Sequence, residues 1–211
     1  MWEKRVAPLT GVAFAVLWLA SSLLTADTFE FMPPASDIAE FLSSDAIRVM
    51  TGSYVGLLAA FALLWFSGSM YASIREIDGD TERLSFISGA GGVLAASTLA
   101  IGYLATLAAA ERAWVHDSVD AGATAALADL TSLVVGNGAT LGFAAMIAAA
   151  SIPALRWSGA PRRIAIISLI LALALISPYS WAVVALVLLW APMAGIWIYR
   201  YNKTPEPLSV P

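Results

Sequence analysis

Apolar residues run along the chain in six long stretches separated by short polar breaks, at roughly 6–25, 46–73, 82–110, 123–151, 162–177 and 179–200. A helix crossing a bilayer core takes about 20 mostly apolar residues. Each stretch therefore predicts a spanning helix. Together they predict an all-α, polytopic transmembrane bundle, with residues 1–211 as a single domain. Stretches two to four hold about 28 residues each, or about 42 Å of helix against a core of about 30 Å. Such helices tilt or protrude. The short polar link "REIDGDTER" leaves the outer side as the place to protrude. The fifth stretch is the shortest and is bounded by Pro161 and Pro178. Proline suits a first helical turn, where the missing N–H has no intrahelical partner. "SPYS" at 177–180 leaves room only for a tight reversal, so the last two helices form a hairpin.

Between the first two stretches lies "ADTFEFMPPASDIAEFLSSD", residues 26–45. Pro33 and Pro34 break the chain, Ser36 or Asp37 can cap a short helix, and Ile38, Phe41 and Leu42 share one helical face. A short amphipathic helix near 36–43, lying on the outer surface, is expected.

Basic residues orient the bundle. Lys4, Arg5, Arg75, Arg83, Arg156, Arg162, Arg163, Arg200 and Lys203 flank one side of the stretches, and Arg48 and Arg112 the other. The positive-inside rule then makes both termini cytoplasmic in a multi-pass plasma-membrane protein. Trp2, Trp157, Trp197, Tyr71, Tyr199 and Tyr201 fall at the inner interface, and Trp114, Tyr179 and Trp181 at the outer one. Trp18, Trp65 and Trp190 lie deeper, where they either pack between helices or line a hydrophobic pocket.

Composition narrows the chemistry. Hydrophobic residues make up 60% of the chain and charged residues 12%, with mean hydropathy +0.80. The charged fraction is about half that of a soluble domain. A net charge of −4 gives no basic field for nucleic acid. There is no cysteine, one histidine (His116), and no lysine other than Lys4 and Lys203. Disulfides, thiolate nucleophiles, iron–sulfur clusters, bis-histidine haem, three-histidine zinc and a mid-membrane Schiff base are thereby excluded. No cofactor is implied. His116 with Asp117 and Asp120 reads as a solvated loop rather than a metal site.

Short motifs point to packing. "SGAGG" at 88–92 follows no strand and lacks the later lysine of a phosphate loop. Ser88, Gly92 and Ala96 instead recur every four residues, as do Ala128, Ser132, Gly136 and Thr140, and Gly138 with Gly142. Small residues at that spacing let membrane helices approach closely, so helices three and four form the packed centre. "DGDTER" at 78–83 partly resembles the metal motif of membrane CDP-alcohol phosphotransferases. Arg75 stands where that family needs an aspartate, and 84–110 contains none, so the segment reads as a turn capped by Thr81.

The stretch "DLTSLVVGNGAT", 129–140, concentrates polar groups inside the fourth apolar run. At 100° per residue Asp129, Ser132, Gly136 and Thr140 share a face, with Asn137 beside it, and lipid cannot satisfy such groups. The face is expected to point inward. Asp129 is expected to pair with Arg48 or Arg112, with Glu111 nearby, as an interhelical tie or a ligand gate at the outer mouth of a pocket.

"RVMTGSYVGLLAAFALLWFSGSM", "RLSFISGAGGVLAA" and "RWSGAPRR", in that order, resemble small multi-spanning integral membrane proteins of actinobacteria. The resemblance implies a plasma-membrane bundle and supplies no functional residues. Three readings stay open. The chain binds or passes a small or lipidic molecule, or serves as a membrane subunit for a protein partner or a second copy. Alternatively, it is a membrane-embedded enzyme acting on a lipid or isoprenoid through Glu111 or Asp129. The third is the substrate-binding component of a vitamin transporter, with Ala7, Gly11 and Ala15 as the partner face.

Overall fold

The computed structural model describes residues 6–25, 34–78, 82–116, 120–156, 162–177 and 179–201. Thr81 and Asp117, expected at a cap and in a loop, lie outside them, as do Lys4, Arg5, Trp2, Trp157, Pro161, Pro178 and Lys203. Among the described residues there is no strand. A 3-10 turn, Ala7–Leu9, leads into α1 (Thr10–Leu24). Then come α2 (Ala35–Asp78) and α3 (Arg83–Val115). α4 (Ala121–Leu133) runs through a π-helical segment, Val134–Ala139, into α5 (Thr140–Arg156). After α6 (Arg162–Leu175) come the short α7 (Ser180–Val183), a 3-10 turn (Val184–Leu186) and α8 (Val187–Tyr201).

Close contacts fix an antiparallel register throughout. Between α1 and α2, Ser21 Oγ donates to the Gly52 carbonyl at 2.8 Å, and a Cβ on Gly11 would lie 2.9 Å from the Phe66 ring. Between α2 and α3, a Cβ on Gly92 would strike Ser67, and one on Gly56 the ring of Tyr103. α3 and α5 meet through their backbones: a Cβ on Gly91 would lie 2.7 Å from the Gly142 carbonyl oxygen and 2.7 Å from the Met146 nitrogen. Ser88 Oγ adds a hydrogen bond to the Met146 carbonyl at 3.3 Å. Small residues thus let the helix backbones approach closely. A stack of Phe14, Trp18 and Phe143 fills the centre, with centroids 5.2 Å (Phe14–Trp18) and 5.6 Å (Trp18–Phe143) apart.

Among the described residues, four helices are long and apolar enough to cross a membrane: Ala7–Leu24, Ala35–Glu76, Arg83–Val115 and Ala121–Leu155. The last two stretches fall short of the spans expected for them. α6 has 14 residues, about 21 Å of helix. Its end is set by the reversal, in which Ile176 N–H bonds the Leu173 carbonyl and Ser177 N–H the Ala174 carbonyl. The returning arm is interrupted by the 3-10 turn and carries Pro192. Its continuous apolar part is Val184–Arg200.

The segment 36–43 is not a separate surface helix. It is the first part of α2, which bends at Asp45 (φ −123°, ψ 23°) and continues. The reason is a second apolar core. α3 and α4 extend past the level where α1 ends, and Ile38, Leu42 and Val49 bury against Ala109, Ala110 and Ala113 of α3. Ala125, Leu127 and Ala128 of α4 close the cluster. Three helices thus build a platform beyond the end of α1. From Leu107, level with the end of α1, to Val115 it stands about 12 Å high at 1.5 Å per residue.

Two further expectations change. Of the ridge Ala128, Ser132, Gly136 and Thr140, Ala128 joins the second core with α3, but Gly136 does not meet α3. Others that do are Thr131, which donates to the Gly102 carbonyl at 3.1 Å and shares a hydrogen bond with the Thr106 hydroxyl at 3.2 Å, and Gly138, whose added Cβ would lie 2.7 Å from Thr98. Nothing lies within 4 Å of a Cβ on Gly136. Thr140 is buried, but its hydroxyl turns back on its own helix, to the carbonyls of Gly136 (2.7 Å) and Asn137 (3.0 Å), where the π-helical segment departs from α-helical bonding. The small face of α1 is used within the chain: Gly11 abuts the Ala191 carbonyl of α8, and Ala15 is buried.

Candidate functional site: a lateral apolar cleft

α6 and α8 leave the reversal together and then pack on different neighbours. α6 lies on α5, whereas α8 lies on α1 and the N-terminal turn, where Gly195 sits against the Pro8 carbonyl. A cleft of about 330 Å³ opens between them, at the low end of the size range of ligand sites. Met70 and Ile74 of α2 and Ser151 of α5 form a buried floor. The lips are exposed: Ile167 (65%) on α6, and Leu189 (65%) and Met193 (54%) on α8. Trp190 roofs the cleft. Its Nε1–H donates to Ser168 Oγ at 3.0 Å, tying α8 to α6, and its ring meets Phe66 edge-on at 6.2 Å.

The lining is almost wholly apolar. Ser151 Oγ is spent on the Ile147 carbonyl at 2.7 Å, and Ser168 accepts the indole. Among the described residues, no carboxylate, histidine or lysine lines the cleft. At one end the lining runs into basic residues. Arg162 and Arg163 precede Ile164 and Ala165, Arg75 comes directly after Ile74, and Arg200 stands two residues past Ile198. Arg162 and Arg163 are exposed. Arg75 is engaged by Glu82, with Nε–Oε1 at 2.8 Å.

The residues singled out in the sequence fall in three places. Trp190 lines the cleft. Trp18 is buried in the central aromatic stack, and Trp65 faces outward at 57% exposure, against Phe61. Glu111, Arg112 and Asp129 belong to the platform, away from the cleft. Glu111 and Arg112 are exposed and Asp129 is half-buried. Asp129 makes no hydrogen bond or ion pair with another described residue, so the expected arginine pair is not formed. It is half-exposed at the level where α1 ends, where water can solvate the carboxylate instead. Arg48 donates to the Leu23 carbonyl at 3.3 Å, satisfying an end-of-helix acceptor of α1. The cavity beside Ala128 holds about 20 Å³, room for about one water. His116 is exposed, and Asp120 caps α4 by accepting from Gly122 N–H (2.8 Å) and Ala123 N–H (3.1 Å). No metal-holding cluster occurs among the described residues. Asn137 is exposed on the π-helical segment.

Sequence reasoning missed Ser168, Met193 and the cleft role of Trp197. The available signal was the shortness of the fifth stretch, which leaves the flank of its neighbour uncovered. The chain matches no protein-family model, no curated protein and no solved structure.

Proposed function

We propose that this chain is a plasma-membrane protein that holds one hydrocarbon chain of an anionic lipid in the cleft between α6 and α8. The observation that carries the reading is an apolar cleft with exposed aliphatic lips, unfilled by the side chains of the described residues. In a bilayer those lips face lipid. The lining on α8 runs from Leu186 to Ile198, about 18 Å at 1.5 Å per residue. Lipid chains are what those lips meet in a bilayer, so a single chain is the occupant proposed. α6 and α7–α8 complete six membrane-inserted segments, with the basic end and both termini on the cytoplasmic side. The short α6 makes its hairpin end within the bilayer.

A lipid chain moving from bilayer to cleft leaves one apolar medium for another, so burial alone gives little selectivity. Selection falls to the headgroup. Arg162 and Arg163 stand at the basic end, and each contributes about 1 kcal/mol toward an anionic lipid. The enzyme reading loses ground because its carboxylates, Glu111 and Asp129, belong to the platform at the opposite end.

Native mass spectrometry of the purified protein with phosphatidylglycerol or phosphatidylcholine of matched chains tests this. One phosphatidylglycerol is expected to be retained in preference. Changing Arg162→Gln and Arg163→Gln together is expected to weaken that retention about thirtyfold. Equal retention of both lipids would remove the headgroup assignment, and no retention of either would remove the cleft assignment.

A further inference from the structure

The register across the bundle sets the depth of Asn137. Gly92 lies against Ser67 and Gly56 against Tyr103, while Gly138 lies against Thr98. Gly11 against Phe66 and Gly52 against Leu24 extend the levels to α1. Counting between these contacts puts Asn137 level with Thr98 on α3, Phe61 on α2 and Val16 on α1. Val16 is at the middle of Ala7–Leu24, the shortest of the four long apolar helices. Phe61 (59%) and Val16 (62%) both face outward at that level, as expected for lipid-facing side chains.

Asn137 also faces outward, yet it is a carboxamide. That carboxamide makes no hydrogen bond with any described residue. Lipid has nothing to offer its two N–H donors or its oxygen, and an unsatisfied polar group at that depth costs several kcal/mol. Around it the surface is apolar and regular. Leu130 (43%), Leu133 (54%) and Leu141 (51%) are exposed at spacings of three, four and four along the same helix. Beside it, Gly136 has open space where a side chain would be.

We propose that this stripe is the contact between two copies of the chain, with Asn137 paired to Asn137 across a two-fold axis. A carboxamide is self-complementary: each side chain donates one N–H to the other's oxygen, so two hydrogen bonds form and neither oxygen stays bare. The leucines interdigitate on either side, and Gly136 lets the backbones approach. A lone asparagine in a leucine stripe fixes register and partner number, as it does in coiled coils. The inference rests on the membrane reading and not on the cleft, which on α5 is lined by Ala150, Ser151 and Ala154 and by none of the stripe.

The chain has no cysteine, so single cysteines report the contact cleanly. In vesicles, Leu133→Cys and Leu141→Cys are expected to form disulfide-linked dimers on mild oxidation. Val16→Cys, at the same depth on α1, is expected not to. Energy transfer between labelled copies at increasing lipid dilution gives the affinity. Asn137→Leu is expected to weaken association about tenfold, with Asn137→Gln retaining most of it. The leucine faces lipid in the monomer, so folded yield should hold. Equal cross-linking at Val16→Cys, association unchanged by Asn137→Leu, or a monomer at all dilutions would each overturn the proposal. Lipid retention in the cleft is read separately and is expected to be the same in Asn137→Leu.

Discussion

Replacing Gly142 with leucine is expected to prevent assembly of the folded bundle. A Cβ at this position would lie 2.5 Å from the Ala95 nitrogen and 2.7 Å from the Gly91 carbonyl oxygen. Both are backbone atoms of α3, so no rotamer change relieves the overlap. The helices would have to separate, breaking the Ser88–Met146 hydrogen bond and opening the core around Phe143, which is fully buried. Overpacking of an ordinary core costs about 1–3 kcal/mol, and a clash with fixed backbone exceeds that range. Gly142→Leu should therefore give little monodisperse protein in size-exclusion chromatography. Gly68→Ala is the control: nothing lies within 4 Å of its Cβ, and alanine in place of a helical glycine should add about 0.5–1 kcal/mol of stability. A Gly142→Leu protein that melts at the wild-type temperature would mean that α3 and α5 do not pack through these residues.

This contact is legible in the sequence because it depends on composition alone. A glycine repeat within an apolar run has few other uses, and Gly138 and Gly142 do approach the third long helix. The neighbouring ridge through Gly136 has the same spacing and makes no such contact, because spacing does not say which side of a helix has a neighbour. The all-helical class is legible for the same reason as the glycines. The platform is not. Ile38 and Leu42 form a visible apolar face, but their partners Ala109, Ala110 and Ala113 sit at the end of a run that looks entirely membrane-embedded. Asp129 departs from expectation because it is half-exposed where α1 ends, and water there can take the place of a counter-ion. The cleft is hidden more deeply. It exists because α6 lies along α5 while α8 lies along α1, and that divergence is a tertiary fact with no local signature. Of the three deep tryptophans, nothing in the sequence distinguishes Trp190 on the cleft from Trp18 in the core.

Filling the cleft is expected to abolish lipid retention without unfolding the protein. Ala194 lies on α8 among the lining residues. In Ala194→Trp the indole would enter a space of about 330 Å³ that the native side chains leave open. It adds contacts rather than clashes, so thermal stability should hold or rise slightly. The bound chain would lose its packing against Met70, Ile74 and Trp190. Losing about 1–2 kcal/mol of contact lowers occupancy about tenfold or more. Val16→Trp, on the outward face of α1, is the matched control and should leave retention unchanged. Native mass spectrometry beside a melting curve reads both quantities on the same preparation. An Ala194→Trp protein that still carries lipid would place the lipid elsewhere.

The most direct test locates the bound chain itself. Phosphatidylglycerol carrying a diazirine midway along one acyl chain, incorporated with the protein into vesicles and photolysed, labels whatever side chains surround that carbon. Peptide mapping should find adducts concentrated on Met70, Trp190, Met193 and Trp197, and lost in Ala194→Trp. Adducts spread over Val16, Phe61 and Leu133, with none enriched in the cleft, would contradict the account.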